Sequence, residues 1–280
     1  MIFLSIDKQN PLGVAANYDS SYSPELLFPI ARSEKRVELD IFDELPFKGE
    51  DIWNAYEISW LNKNGLPQVA IAEFRFSAKS KFIVESKSFK LYLNSLNQSV
   101  FSSLKSVERC IQKDLEKLIE GKVAVFLTEL SNSPQKHILE LEEQNESICL
   151  DHQDVIIEDY DYDASFLKIE KEGTVKEVLF SHLLKSNCLI TNQPDWATII
   201  IQYEGDKICR QSLLKYIISF RNHNEFHEQC VERVFVDIMK NCQPKKLTVY
   251  ARYTRRGGLD INPWRSNHLS TMENFRLCRQ

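Results

Sequence analysis

One order of secondary-structure signals occurs twice along this chain, and that repeat constrains the fold more than any single motif. In the first half, residues 52–61 (IWNAYEISWL) read as a strand, Asn64-Gly65 as a hairpin turn and 68–76 (QVAIAEFRF) as the return strand. A short strand at 82–84 leads into Ser86, a helix start. Phe89, Tyr92, Leu93 and Leu96 then recur at helical spacing. A second helix carries Val107, Cys110, Ile111, Leu115 and Leu118 on one face and closes at Gly121, and 122–128 (KVAVFLT) is again a strand. In the second half, 177–184 (EVLFSHLL) and 196–203 (WATIIIQY) are strands. Residues 210–220 form a helix with Leu213, Leu214, Ile217 and Phe220 on its apolar side. A helix from about Glu225 to Lys240 turns Cys230, Val234, Phe235 and Ile238 inward, 246–254 is a strand, and Gly257-Gly258 turns the chain. Strand-strand-helix-helix-strand thus recurs after roughly 125 residues, and duplication of an α+β unit is the simplest account.

A chain of 280 residues suits two domains of ordinary size. The pattern divides it into an arm over 1–47, punctuated by Pro11, Pro24, Pro29 and Pro46, a first module over 48–130, an acidic connector over 131–175, and a second module over 176–280. The carboxylates between Asp151 and Asp163 lack EF-hand spacing and its central glycine, so they read as a solvated connector rather than a metal loop. A net charge of −5 argues against a general nucleic-acid binder. No apolar run approaches the ~18 residues that span a membrane, and the opening residues lack a signal peptide's basic and apolar regions. The expectation is a soluble, cytoplasmic protein with no membrane and no direct nucleic-acid partner.

The seven cysteines are odd in number and none has C-x-x-C spacing, which suits neither a disulfide framework nor a structural zinc site. Most should be small buried hydrophobes. Cys188 differs: it ends an apolar strand beside Lys185, Ser186 and Asn187, and a nearby cation favours a thiolate. Asp195 follows between Pro194 and Trp196, where an adjacent indole would desolvate it and let it donate a proton near neutrality. A buried structural thiol and a turn aspartate are the plainer readings of the same two residues.

Three other segments hold chemistry-bearing residues. His223 and His227, four apart at a helix start, suggest either a metal pair or, with Glu228, recognition of a guanine-like edge by a carboxylate that accepts two parallel N–H bonds. An ordinary polar helix N-terminus explains them equally. Glu85-Ser86-Lys87-Ser88-Phe89-Lys90 sits at a strand-to-helix junction that suits an anion such as phosphate, or is simply a capped helix with solvated lysines. Lys245, Lys246, Arg252, Arg255, Arg256 and Arg265 form a positive strip about Gly257-Gly258 that could clamp phosphates, or a solvated strand edge. Neither standard glycine nucleotide loop occurs.

Together, ESKSFKLYLNSLNQ (85–98), SHLLKSNCLITNQPDW (181–196), FRNHNEFHEQCVERV (220–234) and VYARYTRRGGLDINPWRSN (249–267) resemble the bimodular QueF-type nitrile reductases. These are NADPH-dependent 7-cyano-7-deazaguanine reductases of queuosine biosynthesis. The resemblance runs from about Leu45 to Asn267 and is strongest in the second half. It implies tandem tunnelling-fold modules, each an antiparallel sheet with two helices on one face, in a homodimer with sites at module interfaces. It implies Cys188 as nucleophile and Asp195 as proton donor. It implies Val84, Glu85, Ser86, His227 and Glu228 against the deazaguanine, and Ser86, Lys87, Arg256 and Gly257 against NADPH. Two NADPH per turnover and no metal complete the expectation. The alternatives are a zinc-dependent cyclohydrolase-like enzyme using Cys188, His223 and His227, and a non-catalytic purine- or pterin-binding module.

Overall fold

The computed structural model describes residues 21–132, 138–144 and 147–280; residues 1–20 of the arm lie outside them. The arm contributes β1 (Pro29–Ala31) and α1 (Arg32–Val37). The first module comprises β2 (Lys48–Leu61), β3 (Pro67–Ser77), β4 (Phe82–Val84), α2 (Ser86–Ser95), α3 (Leu104–Ile119) and β5 (Val123–Glu129). After β6 (Ser147–Cys149), the second comprises β7 (Ile169–Asn187), β8 (Pro194–Ile208), α4 (Arg210–Ser219), α5 (His227–Cys242), β9 (Lys246–Tyr253) and β10 (Leu259–Ser266). The class is α+β. Among the described residues, no helix is long and apolar enough to cross a membrane.

The duplication reaches into detail. β3 and β8 both begin at a proline after a hairpin. The last residue of β2, Leu61, bridges Val100 in parallel just before α3, as Asn187 of β7 bridges Asn224 just before α5. Period-two burial along β3 puts Ala70, Ala72, Phe74 and Phe76 into the core. Val107, Ile111, Leu115 and Ile119, four apart on α3, face them. A capping box between Ser103 and Ser106 starts α3. The helix ends one residue earlier than a glycine stop implies: Glu120 takes the left-handed turn at φ 47°. Gly121 is needed for space, since a Cβ there would lie 2.7 Å from the Ser80 Cβ.

The two modules share one eight-stranded sheet, in the order β5-β3-β2-β10-β9-β8-β7-β6. The join is β10, a strand the sequence reading leaves inside a charged turn. It pairs antiparallel with β2 from Leu259↔Ala55 to Ser266↔Lys48. All eight of its residues are buried, so it shows no alternation. It also contains Pro263, which a central strand normally excludes. The proline is tolerated because pairing with β9 begins only at Trp264. The acidic connector is more ordered than a solvated linker: β6 pairs in parallel with β7, Leu150 is fully buried, and Asp151 accepts a hydrogen bond of 2.6 Å from Ser181 Oγ.

Helix α5 is buried on nearly all sides, with Cys230, Val234, Phe235 and Ile238 fully inaccessible. Its polar side chains are therefore paired. Glu232 accepts from Arg36 and Arg265, and Arg265 and Arg32 hold Asp51 at 2.8 and 2.6 Å. This cluster ties the arm, β2, β10 and α5 together. Burial opposes the Asp51 and Glu232 charges, but the Arg265 and Arg32 guanidiniums, joined at Glu232 by Arg36, outweigh it and keep both carboxyls below their usual range. Arg265 thus serves the interior, and the positive strip read from the sequence is dispersed. Arg252 is buried against Gln280 and Asn274, and Arg255 lies 3.6 Å from the centre of the Tyr56 ring. Of those arginines, Arg256 lines the cavity described below.

Candidate active site

Cys188 opens the hairpin between β7 and β8. Its N–H donates to Gln193 O at 2.8 Å, and Asn192, left-handed at φ 56°, returns an N–H to Cys188 O at 3.0 Å. Asn224 Nδ2 donates to Cys188 O and to Asn192 Oδ1, which pins the hairpin to the segment entering α5. Asn187 N–H donates to His223 O, and Glu225 N–H to Asn187 O, extending that lock along the chain. Lys185 reaches Asn187 Oδ1 and Arg221 O, both at 2.6 Å, so its ammonium is committed away from the thiol.

Cys188 faces a cavity of about 390 Å³ at the junction of the modules. Glu85, Ser86, Lys87 and Lys90 from the start of α2 line it, as do His227, Arg256 and Gly257. A narrow recess adjoining it adds Val84, Asp195, Phe226 and Glu228. Every site residue implied by the family resemblance lines one of these two spaces. Phe226, Thr191 and Ile261 line them too without having been nominated, and Lys90, read from the sequence as part of the anion-suited segment, joins them. Phe226, Thr191 and Ile261 all lie inside the quoted motifs, although Ile261 sits on the unforeseen β10.

Glu85 caps α2, accepting from Lys87 N–H at 2.9 Å and Ser88 N–H at 2.7 Å. The donors of Lys87 and Ser88 are therefore met by the chain's own carboxylate, in keeping with the capped-helix reading of this segment rather than the phosphate one. A carboxylate has about four acceptor positions, so Glu85 keeps capacity for a ligand. The cations Lys87, Lys90 and Arg256 still ring the cavity. Gly257 and Gly258, at φ 56° and 77°, make the two-residue turn from which Arg256 projects. A Cβ at Gly257 would come within 2.8 Å of Lys90 Nζ.

Asp195 is 2 % exposed. Arg256 Nη1 approaches its Oδ1 at 3.0 Å and His227 Nε2 at 3.5 Å. Both are charge contacts without hydrogen-bond geometry, since Asp195 Oδ1 and Arg256 Nη1 have no hydrogen-bond partner. The expected influence of Trp196 is absent. Adjacent strand residues point to opposite faces, and the Trp196 indole lies between Arg221 and Arg279 at 5.5 and 5.8 Å. The recess, not the indole, desolvates Asp195.

The histidines do not share a helical face. α5 starts at His227, while His223 precedes it and lies 3.1 Å from Glu225. Glu225 is itself gripped by Arg233. The zinc alternative thus loses His223 as a ligand beside Cys188. Among the described residues, no group of three or more His, Cys, Asp or Glu side chains is arranged to hold a metal ion.

A family model described as "Nitrile reductase, 7-cyano-7-deazaguanine-reductase N-term" matches residues 18–127, and one described as "QueF-like protein" matches 194–271. The NADPH-dependent 7-cyano-7-deazaguanine reductase of Hydrogenovibrio crunogenus (strain DSM 25203 / XCL-2) is 54% identical over 271 residues, covering 96% of each chain. This chain belongs to the 7-cyano-7-deazaguanine reductase family. The first family match contains the α2 side of the cavity and the second contains Asp195, His227, Glu228, Arg256 and Gly257, while Cys188 falls between them. Among solved structures, the archaeosine synthase QueF-Like in its apo form shares 14% identity, covering 36% of this chain and 99% of its own. Its TM-score of 0.31 is too low to carry an argument.

Within the reductase recess, Glu228 is 3 % exposed. Burial, reinforced by the Asp51 charge, pushes its carboxyl up to about 7, with His227 partly offsetting this. The folded protein therefore holds the Glu228 proton more tightly than the unfolded chain does. The stability this contributes is complete below the ordinary value of 4.5 and is lost as pH rises to about 7. Glu228→Gln removes the titration. Melting temperatures of the two proteins should diverge between pH 5 and 7, in favour of the variant, and run parallel above. Parallel curves throughout would contradict this burial.

Proposed function

We propose that this chain reduces the nitrile of 7-cyano-7-deazaguanine to the primary amine, 7-aminomethyl-7-deazaguanine, at the Cys188 cavity. The observation that carries the reading is the convergence, at one module junction, of a cavity-facing thiol, a desolvated carboxyl and a buried glutamate. Cys188 adds to the nitrile carbon as thiolate. The sulfur–carbon bond forms, one C–N π bond opens, and the nitrogen takes the proton of Asp195, giving a covalent thioimide. Arg256 and His227 face the carboxylate left behind. Glu228 and His227 hold the deazaguanine, whose N–H edge matches a carboxylate acceptor. Phe226 lines the same recess.

The cavity suits a dinucleotide phosphate. Three cationic side chains ring it, and the buried Nη1 of Arg256 has no hydrogen-bond partner. NADPH, when bound, supplies hydride. Conversion of a nitrile to an amine takes up four electrons and so consumes two equivalents. Ser86, Lys87, Arg256 and Gly257 are the contacts, with Lys90 added from the cavity lining. The chain acts as a homodimer and needs no metal for the chemistry. Exposed Val69 and Phe126 beside edge strand β5 suit burial by a second copy.

The test is stoichiometry. NADPH oxidation followed by absorbance, with product measured by chromatography, should give two NADPH per amine. One NADPH per product, or no consumption, would contradict the reading.

A further inference from the structure

Three buried polar atoms belong to neighbouring positions of the sheet beside the recess: Ser186 Oγ, Asp195 Oδ1 and the Tyr253 hydroxyl. Their residues are 0 %, 2 % and 1 % exposed, and none of the three atoms makes a hydrogen bond of good geometry. Buried polar groups are nearly always bonded, and leaving one unpaired is costly. Three at neighbouring positions call for a reason beyond folding.

The sheet register brings them together. Ser186 of β7 is the direct cross-strand partner of Asp195 on β8. Tyr253 of β9 lies opposite Ala197, two residues along β8 from Asp195 and so on the same face. Such diagonal neighbours are within reach of a large aromatic side chain. The Tyr253 ring meets the His227 ring edge-on, 4.0 Å between centres and at 88°. Burial, with the Cys230 thiol in side-chain contact and the Asp195 charge nearby, outweighs a contact from the Ser186 hydroxyl and drives the phenol far above its ordinary range, so it remains an O–H donor. Neither Ser186 nor Tyr253 is among the residues lining the cavity or its recess.

We infer that Tyr253 and Ser186 are positioning residues for the acid, two hydroxyl donors that turn to the carboxylate Asp195 becomes. The inference rests on the reading of Asp195 as proton donor. As the Asp195 O–H bond breaks and the substrate N–H bond forms, negative charge appears on a group that water does not reach. Arg256 and His227 meet that charge without directed hydrogen bonds. The hydroxyls supply them. Donors already fixed where charge develops need no reorganisation, and this is why they accelerate a step rather than tighten binding.

Tyr253→Phe keeps the ring against His227 and removes one donor. The rate of thioimide formation in a single turnover and kcat should both fall about 10- to 100-fold, a share of what a sole oxyanion donor contributes. KM for the nitrile should stay within about two-fold, since ground-state binding is untouched. Ser186→Ala should show the same split to a smaller degree, and it carries the test alone if Tyr253→Phe fails to fold. Wild-type adduct rates in both variants, or a raised KM with unchanged kcat, would overturn the inference. A wild-type protein that forms no thioimide would defeat the reading beneath it, a result recognisable because the failure precedes any substitution.

Discussion

Cys188→Ala is expected to abolish both NADPH-dependent turnover and the covalent thioimide. The size of the effect follows from the lack of a substitute. Cys230 and Cys242 are buried, with burial pushing their thiols up to about 12 and about 11. Burial also raises the Cys110 and Cys149 thiols, and Cys209 and Cys278 line neither the cavity nor its recess. A nitrile carbon is a poor target for direct hydride attack, so the covalent route cannot be bypassed at a useful rate. Loss of a covalent nucleophile elsewhere lowers kcat by about 10⁴-fold or more, and the same is expected here. The deazaguanine should still bind, because Glu228 and His227 are intact. Calorimetry would then find affinity near wild type in a protein without turnover. Measurable activity in Cys188→Ala would remove Cys188 from the chemistry.

Asp195→Asn should be nearly as damaging by a different route. The amide fits the same recess but has no acidic proton to give the nitrile nitrogen. General-acid help is typically worth about 10²–10⁴-fold, so kcat should drop by that amount. Binding should change little, since the amide keeps the shape of the carboxyl between Arg256 and His227 and leaves Glu228 untouched. Stopped-flow traces should show thioimide forming slowly. A variant whose affinity collapses while kcat holds would make Asp195 a binding group instead.

The repeat was legible because its elements are amphipathic. Alternation in β3 and four-residue spacing in α3 are physical consequences of one buried face, and they appear directly in the residue order. β10 was illegible for the opposite reason: buried on both faces and interrupted by Pro263, it offers neither alternation nor strand propensity. The charged strip misled because charge in a sequence does not reveal pairing. Arg265 and Arg252 are spent on interior carboxylates and amides, leaving Arg256 for the cavity. Trp196 misled because sequence neighbours in a strand are not spatial neighbours. His223 looked like a helical partner of His227 until the helix began four residues later. Tyr253 carried no signal, since its place beneath His227 depends on strand register, which only the folded sheet defines.

The account turns on the bond between Cys188 and the nitrile carbon, and mass spectrometry tests it most directly. Wild-type protein mixed with 7-cyano-7-deazaguanine in the absence of NADPH should gain the mass of one intact nitrile molecule. Peptide mapping should place that mass on Cys188, and addition of NADPH should discharge it. Turnover without any added mass, or an adduct on another cysteine, would contradict the account.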